Sequence, residues 1–114
     1  MRDLQVFRRA YEAGIVLHRL TAKAGRDDTV SQLRRASKSV AANIAEAYSI
    51  ANSAAERRRI LGIAMKEADE TKVWIEYCRD LGRLTREDAQ CWLQEYDEIG
   101  AMLYALWVKR TGNS

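Results

Sequence analysis

Three consecutive arginines, Arg57, Arg58 and Arg59, are the residues of this 114-residue chain whose chemistry is plainest. A helix opening at Ser53 places them near its start, where unpaired backbone N–H groups carry partial positive charge and cations cost helix stability. Guanidiniums kept there point to an outside anion, and their planar fork matches phosphate. Arg8 and Arg9, then Arg34, Arg35 and Lys38, extend the basic set along the two preceding helices. Together these residues form the candidate nucleic-acid-binding set, for RNA or DNA. The plainer reading is a solvated face, with Glu12 and Glu56 neutralising part of it from neighbouring positions. No RNA-recognition or helix-turn-helix signature accompanies the set.

Catalytic chemistry is poorly supplied. His18 is the only histidine and lies near a stripe of Leu4, Phe7 and Tyr11, where a partly buried, hydrogen-bonded imidazole is expected. Carboxylate-bridged metal sites in helical bundles need Glu-x-x-His pairs, and the chain has none. Cys78 and Cys91 have no second Cys or His at ligand spacing and are expected to stay reduced. Neither a Gly-rich phosphate loop nor a Gly-x-Ser-x-Gly turn occurs. The expectation is therefore a binding protein with no catalytic residue, metal or cofactor. Asn43, Glu46, Glu67 and Glu70 are expected to be structural polar residues, with Glu67 or Glu70 meeting Asn43 or an arginine across the bundle and fixing register. An acidic ligand pocket of Glu46, Glu67 and Glu70 is the second reading, and only strongly raised pKa values there would favour catalysis.

These side chains must be carried by helices, because apolar positions recur at three-then-four spacing and the breaks carry start and stop residues. The first helix spans about residues 3–24 and stops at Gly25; Asp27 and Asp28 offer caps for a second over about 28–49. Ser53 with Glu56 makes a capping box for a third over 54–81, ended by Gly82. Thr85, with Glu87 and Asp88 behind it, opens a fourth over 86–109, before Thr111-Gly112-Asn113-Ser114. Long helices joined by short connections pack as an all-α, up-down-up-down antiparallel four-helix bundle in one domain.

That bundle has apolar surface to spare. In the second helix Val30, Leu33, Ser37, Val40, Ile44 and Tyr48 form the core stripe, leaving Ala41, Ala42 and Ala45 as a small-residue face. The first helix has two stripes: Leu4, Phe7, Tyr11, Ile15 and Ala22, and separately Val6, Ala10, Ala13, Leu17, Leu20 and Ala24. A bundle helix needs one. The second stripe, the alanine face and Trp107, one of several surplus aromatics on the fourth helix, are the expected oligomer interface.

The bulk numbers agree with a folded chain: 47% hydrophobic, 31% charged and no proline. No membrane-length apolar run and no signal-like N-terminus is present, so the cytoplasm is the expected address. Net charge is only +3, but residues 1–66 hold 13 Lys and Arg against 6 Asp and Glu, and residues 67–114 hold 6 against 10. That asymmetry suits either a polyanion or pairing between subunits.

The run from Gln32 to Ala47, QLRRASKSVAANIAEA, resembles the signature segment of the four-helix-bundle proteins encoded in intervening sequences of 23S ribosomal RNA genes. The resemblance continues through Lys66-Glu67-Ala68-Asp69-Glu70-Thr71, Trp74-Ile75-Glu76 and Leu81-Gly82. Ala41 stands where the family has proline and Ala47 where it has glycine, which favours a straighter second helix. The resemblance implies a ring-shaped homo-pentamer. By similarity to the related accessory protein of diversity-generating retroelements, it also implies a non-enzymatic accessory role with RNA, a ribonucleoprotein or a reverse transcriptase as partner. The alternative is an oligomeric protein-binding scaffold without nucleic-acid contact.

Overall fold

The computed structural model describes the backbone of residues 2–109 and the side chains of residues 5–109. Leu4 and the segment after Lys109 lie outside the described side chains. Four helices follow one another: α1 (Arg2–Leu20), α2 (Asp28–Ser49), α3 (Ala54–Asp80) and α4 (Arg86–Val108). Each packs against its neighbour in sequence, and α1 closes the square against α4, giving the antiparallel bundle.

The helix ends show why the chain turns where it does. Asp27, Ser53 and Thr85 are extended N-caps whose side chains accept the backbone N–H of Val30, Glu56 and Asp88. Glu56 reaches back to accept the N–H of Asn52, so the opening of α3 is closed from both sides. The first helix ends at Leu20, earlier than its periodicity suggests. The Thr21 hydroxyl turns back to the Leu17 carbonyl, Arg34 donates to the carbonyls of Thr21 and His18, and Ala22–Ala24 tightens into a 3₁₀ turn. An arginine from α2 thus satisfies carbonyls that end α1. Gly82, at φ 76°, makes the left-handed turn that ends α3.

Packing reverses the expected roles of the two stripes on α1. Val6, Ala10, Ala13 and Leu17 are fully buried in the protomer's own core, so they are not a surface awaiting a partner. Where α1 meets α2 the helices lie close: a Cβ at Gly14 would stand 3.6 Å from the Ser37 carbonyl oxygen, an ordinary van der Waals contact. The bulkier Phe7, Tyr11 and Ile15 are displaced to the outer edge, with Tyr11 55% exposed. Leu20 is exposed beyond the end of the stripe. On α2, Val30, Leu33, Ser37, Val40 and Ile44 are buried as expected, but Tyr48 is 38% exposed and leaves the core.

Candidate nucleic-acid interface

Antiparallel packing brings the start of α1, the end of α2, the start of α3 and the end of α4 to one end of the bundle. The arginines that begin α3 sit there. Arg57 lies over the Tyr48 ring, 5.2 Å from its centroid, and donates to the Ala47 carbonyl at 3.3 Å. Arg58 lies 3.7 Å from the centre of the Trp107 ring and donates to the Trp107 carbonyl at 3.2 Å. Trp107 in turn stacks on Tyr104, with centroids 6.0 Å apart. Among the described residues, none of Arg57, Arg58 and Arg59 forms an ion pair with a carboxylate. Rings orient two of these guanidiniums without neutralising them, so their charge remains available to phosphate. Exposed Arg8 lies in the first turns of α1, toward the same end.

A family model described as 23S rRNA-intervening sequence protein matches residues 2–105 of the chain. The chain belongs to that family. A crystal structure of a protein of unknown function from the S23 ribosomal protein family of Bacteroides thetaiotaomicron shares 28% identity with this intervening-sequence protein. It aligns over 96% of this chain and 100% of its own length with a TM-score of 0.86. No curated protein matches.

The other basic residues of this family member are divided between fold and surface. Arg9 makes a bidentate pair with Glu95, at 2.7 and 2.8 Å, and also reaches Glu98, fastening α1 to α4. These carboxylates raise its pKa well above the usual arginine range. Arg35 bridges Glu70 at 2.8 Å and Glu67 at 3.5 Å, joining α2 to α3. Its charge, like that of Arg9, is already matched inside the protomer. Arg34 is committed to the end of α1, whereas Lys38 is exposed. The basic set therefore resolves into two groups. Arg9 and Arg35 pair with carboxylates between helices, whereas Arg57, Arg58 and Arg59 have no carboxylate partner among the described residues. Arg57 and Arg58, like Arg34, also donate to carbonyls near a helix end.

The acidic residues form no common pocket. Burial raises the Glu67 pKa, whereas the Arg35 hydrogen bond lowers that of Glu70, and both belong to the α2–α3 bridge. Asn43 does not cross the bundle; it donates to the Ser39 carbonyl within its own helix at 2.8 Å. Glu46 is exposed, about three turns along α2 from Arg35. His18 is exposed rather than partly buried, and neighbouring Arg34 and Lys38 hold its pKa below the usual histidine value. Cys78 is buried, with its thiol pushed up to about 11, and Cys91 is exposed. Among the described residues, no cluster of His, Cys, Asp or Glu is arranged to hold a metal ion, and no helix is long and apolar enough to cross a membrane.

Of the residues expected at an oligomer interface, Trp107 is half-buried against Gly62 and Arg58 of its own chain. Ala41 is buried in the protomer's own core and reaches only the floor of an open groove of about 500 Å³ between α1 and α2, whereas Ala42, which also lines it, and Ala45 one turn on are exposed. The groove's other wall is Phe7, Tyr11 and Ile15, with His18, Arg19 and Lys38 also lining it. The sequence pointed to the alanine wall of this surface but not to the opposite one, because the bulky stripe was assigned to the core.

Proposed function

We propose that this protein is a non-enzymatic, oligomeric accessory protein that binds nucleic acid, RNA foremost, through Arg57, Arg58 and Arg59, with Arg8 toward the same end of the bundle. The observation that carries the reading is the placement of Arg57 and Arg58 on aromatic rings with no carboxylate partner among the described residues, while Arg9 and Arg35 are neutralised internally. Assembly as a ring of five, which the family resemblance implies, would repeat the patch around one rim. Repetition turns a modest site into a multivalent one. The family description names where such genes lie, so RNA as the first ligand to test rests on the unpaired arginines and on the resemblance to a retroelement accessory protein.

Fluorescence anisotropy with a single-stranded RNA tests this directly. Binding should weaken steeply as salt rises, and the triple variant Arg57→Gln, Arg58→Gln, Arg59→Gln should lose most affinity while remaining helical by circular dichroism. Absent or salt-independent binding refutes the reading. The second reading, an oligomeric protein scaffold, draws on the apolar α1–α2 groove. It predicts that the purified protein carries no nucleic acid and that the triple variant keeps every protein partner.

A further inference from the structure

Successive residues of a helix point about 100° apart, so the three arginines that open α3 fan out across the end of the bundle. Arg57 turns to α2, where it lies over Tyr48, and Arg58 turns to α4, where it lies over Trp107. Arg59 is exposed. On the α4 side the cations border a pair of stacked rings. Trp107 is held against α3, with Arg58 3.7 Å from its ring centre and its Nε1 3.5 Å from where a Cβ on Gly62 would stand. Tyr104 stacks on Trp107 at an interplanar angle of 27°, is 54% exposed, and among the described residues has no other ring stacked on it. Val108 and Ile50, at the ends of α4 and α2, are exposed at the same end. Unpaired cations and open aromatic surface thus meet there.

We propose that this end of the bundle selects single-stranded over duplex nucleic acid, with Tyr104 stacking an unpaired base while Arg57, Arg58 and Arg59 hold the flanking phosphates. This rests on the reading that the arginines bind nucleic acid, and it names the state of the strand. Cations alone would favour the duplex, whose two strands carry the denser charge. The rings reverse that preference. In a duplex each base face is covered by its neighbours, so an aromatic ring on a protein surface has nothing to stack on except in an unpaired strand. Trp107, held between Arg58 and α3, backs the Tyr104 ring, so little side-chain freedom is lost when a base arrives. Every base has a π-face, so the selection is for strand state and is tolerant of sequence.

Fluorescence anisotropy on the full-length protein tests this with three RNA probes of about 12 nucleotides: a single strand, its duplex, and a strand of abasic sites with the same phosphates. At one salt concentration the wild type should bind the single strand more tightly than the duplex, and roughly 5- to 150-fold more tightly than the abasic strand. Tyr104→Ala should bring the single strand down to the abasic level and leave the salt slope as it was, since no cation is lost. Tyr104→Phe, which keeps the ring, should retain the preference. Circular dichroism and light scattering check that both variants keep the helices and the assembly of the wild type. Duplex bound as tightly as single strand, or an equal loss on the single and abasic strands in Tyr104→Ala, overturns the stacking and leaves the phosphate reading standing. A Tyr104→Ala variant with altered assembly assigns the ring to a subunit contact and also overturns it. Binding to none of the three probes refutes both readings and leaves the aromatic end to a protein partner.

Discussion

Tyr96 is fully buried at the centre of α4, and its hydroxyl has no hydrogen-bond partner among the described residues. Burial pushes its pKa far above the usual tyrosine value, so the phenol stays neutral. An unpaired buried hydroxyl costs on the order of 1–3 kcal/mol, whereas the ring itself fills core volume. Tyr96→Phe should therefore leave the urea midpoint unchanged or raise stability by about 1 kcal/mol; a clear loss would reveal a partner for the oxygen. Asp27 makes the opposite case. It caps α2 through the Val30 N–H and pairs with Arg83 at 2.7 Å, and these contacts hold its carboxyl pKa below the ordinary value. A depressed folded pKa stabilises the native state fully above the unfolded value and ceases to do so as pH falls through the folded one. Asp27→Asn keeps a capping oxygen but cannot titrate, so melting temperature should fall less steeply between about pH 5 and pH 2 than in the wild type.

At the scale of the helix, the exchange of stripes on α1 sets two substitutions apart. Leu17 is fully buried, and Leu17→Ala should cost about 2–5 kcal/mol in the folding of the chain. Tyr11 is more than half exposed in the groove wall and stacks on Phe7, so Tyr11→Ser should cost the isolated protomer only about 1 kcal/mol while weakening self-association. Chemical denaturation at low concentration, beside light scattering at high concentration, separates the effects. The helix starts were legible in the sequence because Asp27, Ser53 and Thr85 act locally, each on an N–H three residues away. Which stripe faces inward was not, because that depends on how closely another helix approaches. Periodicity reports that two stripes exist, but the packing of the neighbouring helices decides which one is buried. Likewise, the pairing of Arg9 was not legible because Glu95 lies 86 residues away, whereas that of Arg35 was legible from the acidic side, where Glu67 or Glu70 was expected to meet an arginine across the bundle.

Across the whole molecule, the charge asymmetry of the chain becomes a spatial one: ion pairs join the helices, an acidic α3–α4 face opposes a basic α1–α2 face, and arginines without acidic partners gather at one end. Salt dependence can tell the two kinds of arginine apart. Each cation that displaces counterions from single-stranded nucleic acid contributes about 0.7 to the slope of log affinity against log salt. Removing Arg57, Arg58 and Arg59 should then flatten the slope by about 2 per protomer engaged on the strand, since three such contacts are lost. Arg9→Gln and Arg35→Gln remove charges already matched by Glu95, Glu98, Glu67 and Glu70, so they should lower thermal stability and leave the slope as it was. Both quantities follow from anisotropy titrations between about 50 and 200 mM salt with parallel thermal melts. If Arg9→Gln flattened the slope as much per residue as the triple variant, internal pairing would not govern which arginines meet the ligand. The end of the bundle would then lose its claim to be the interface.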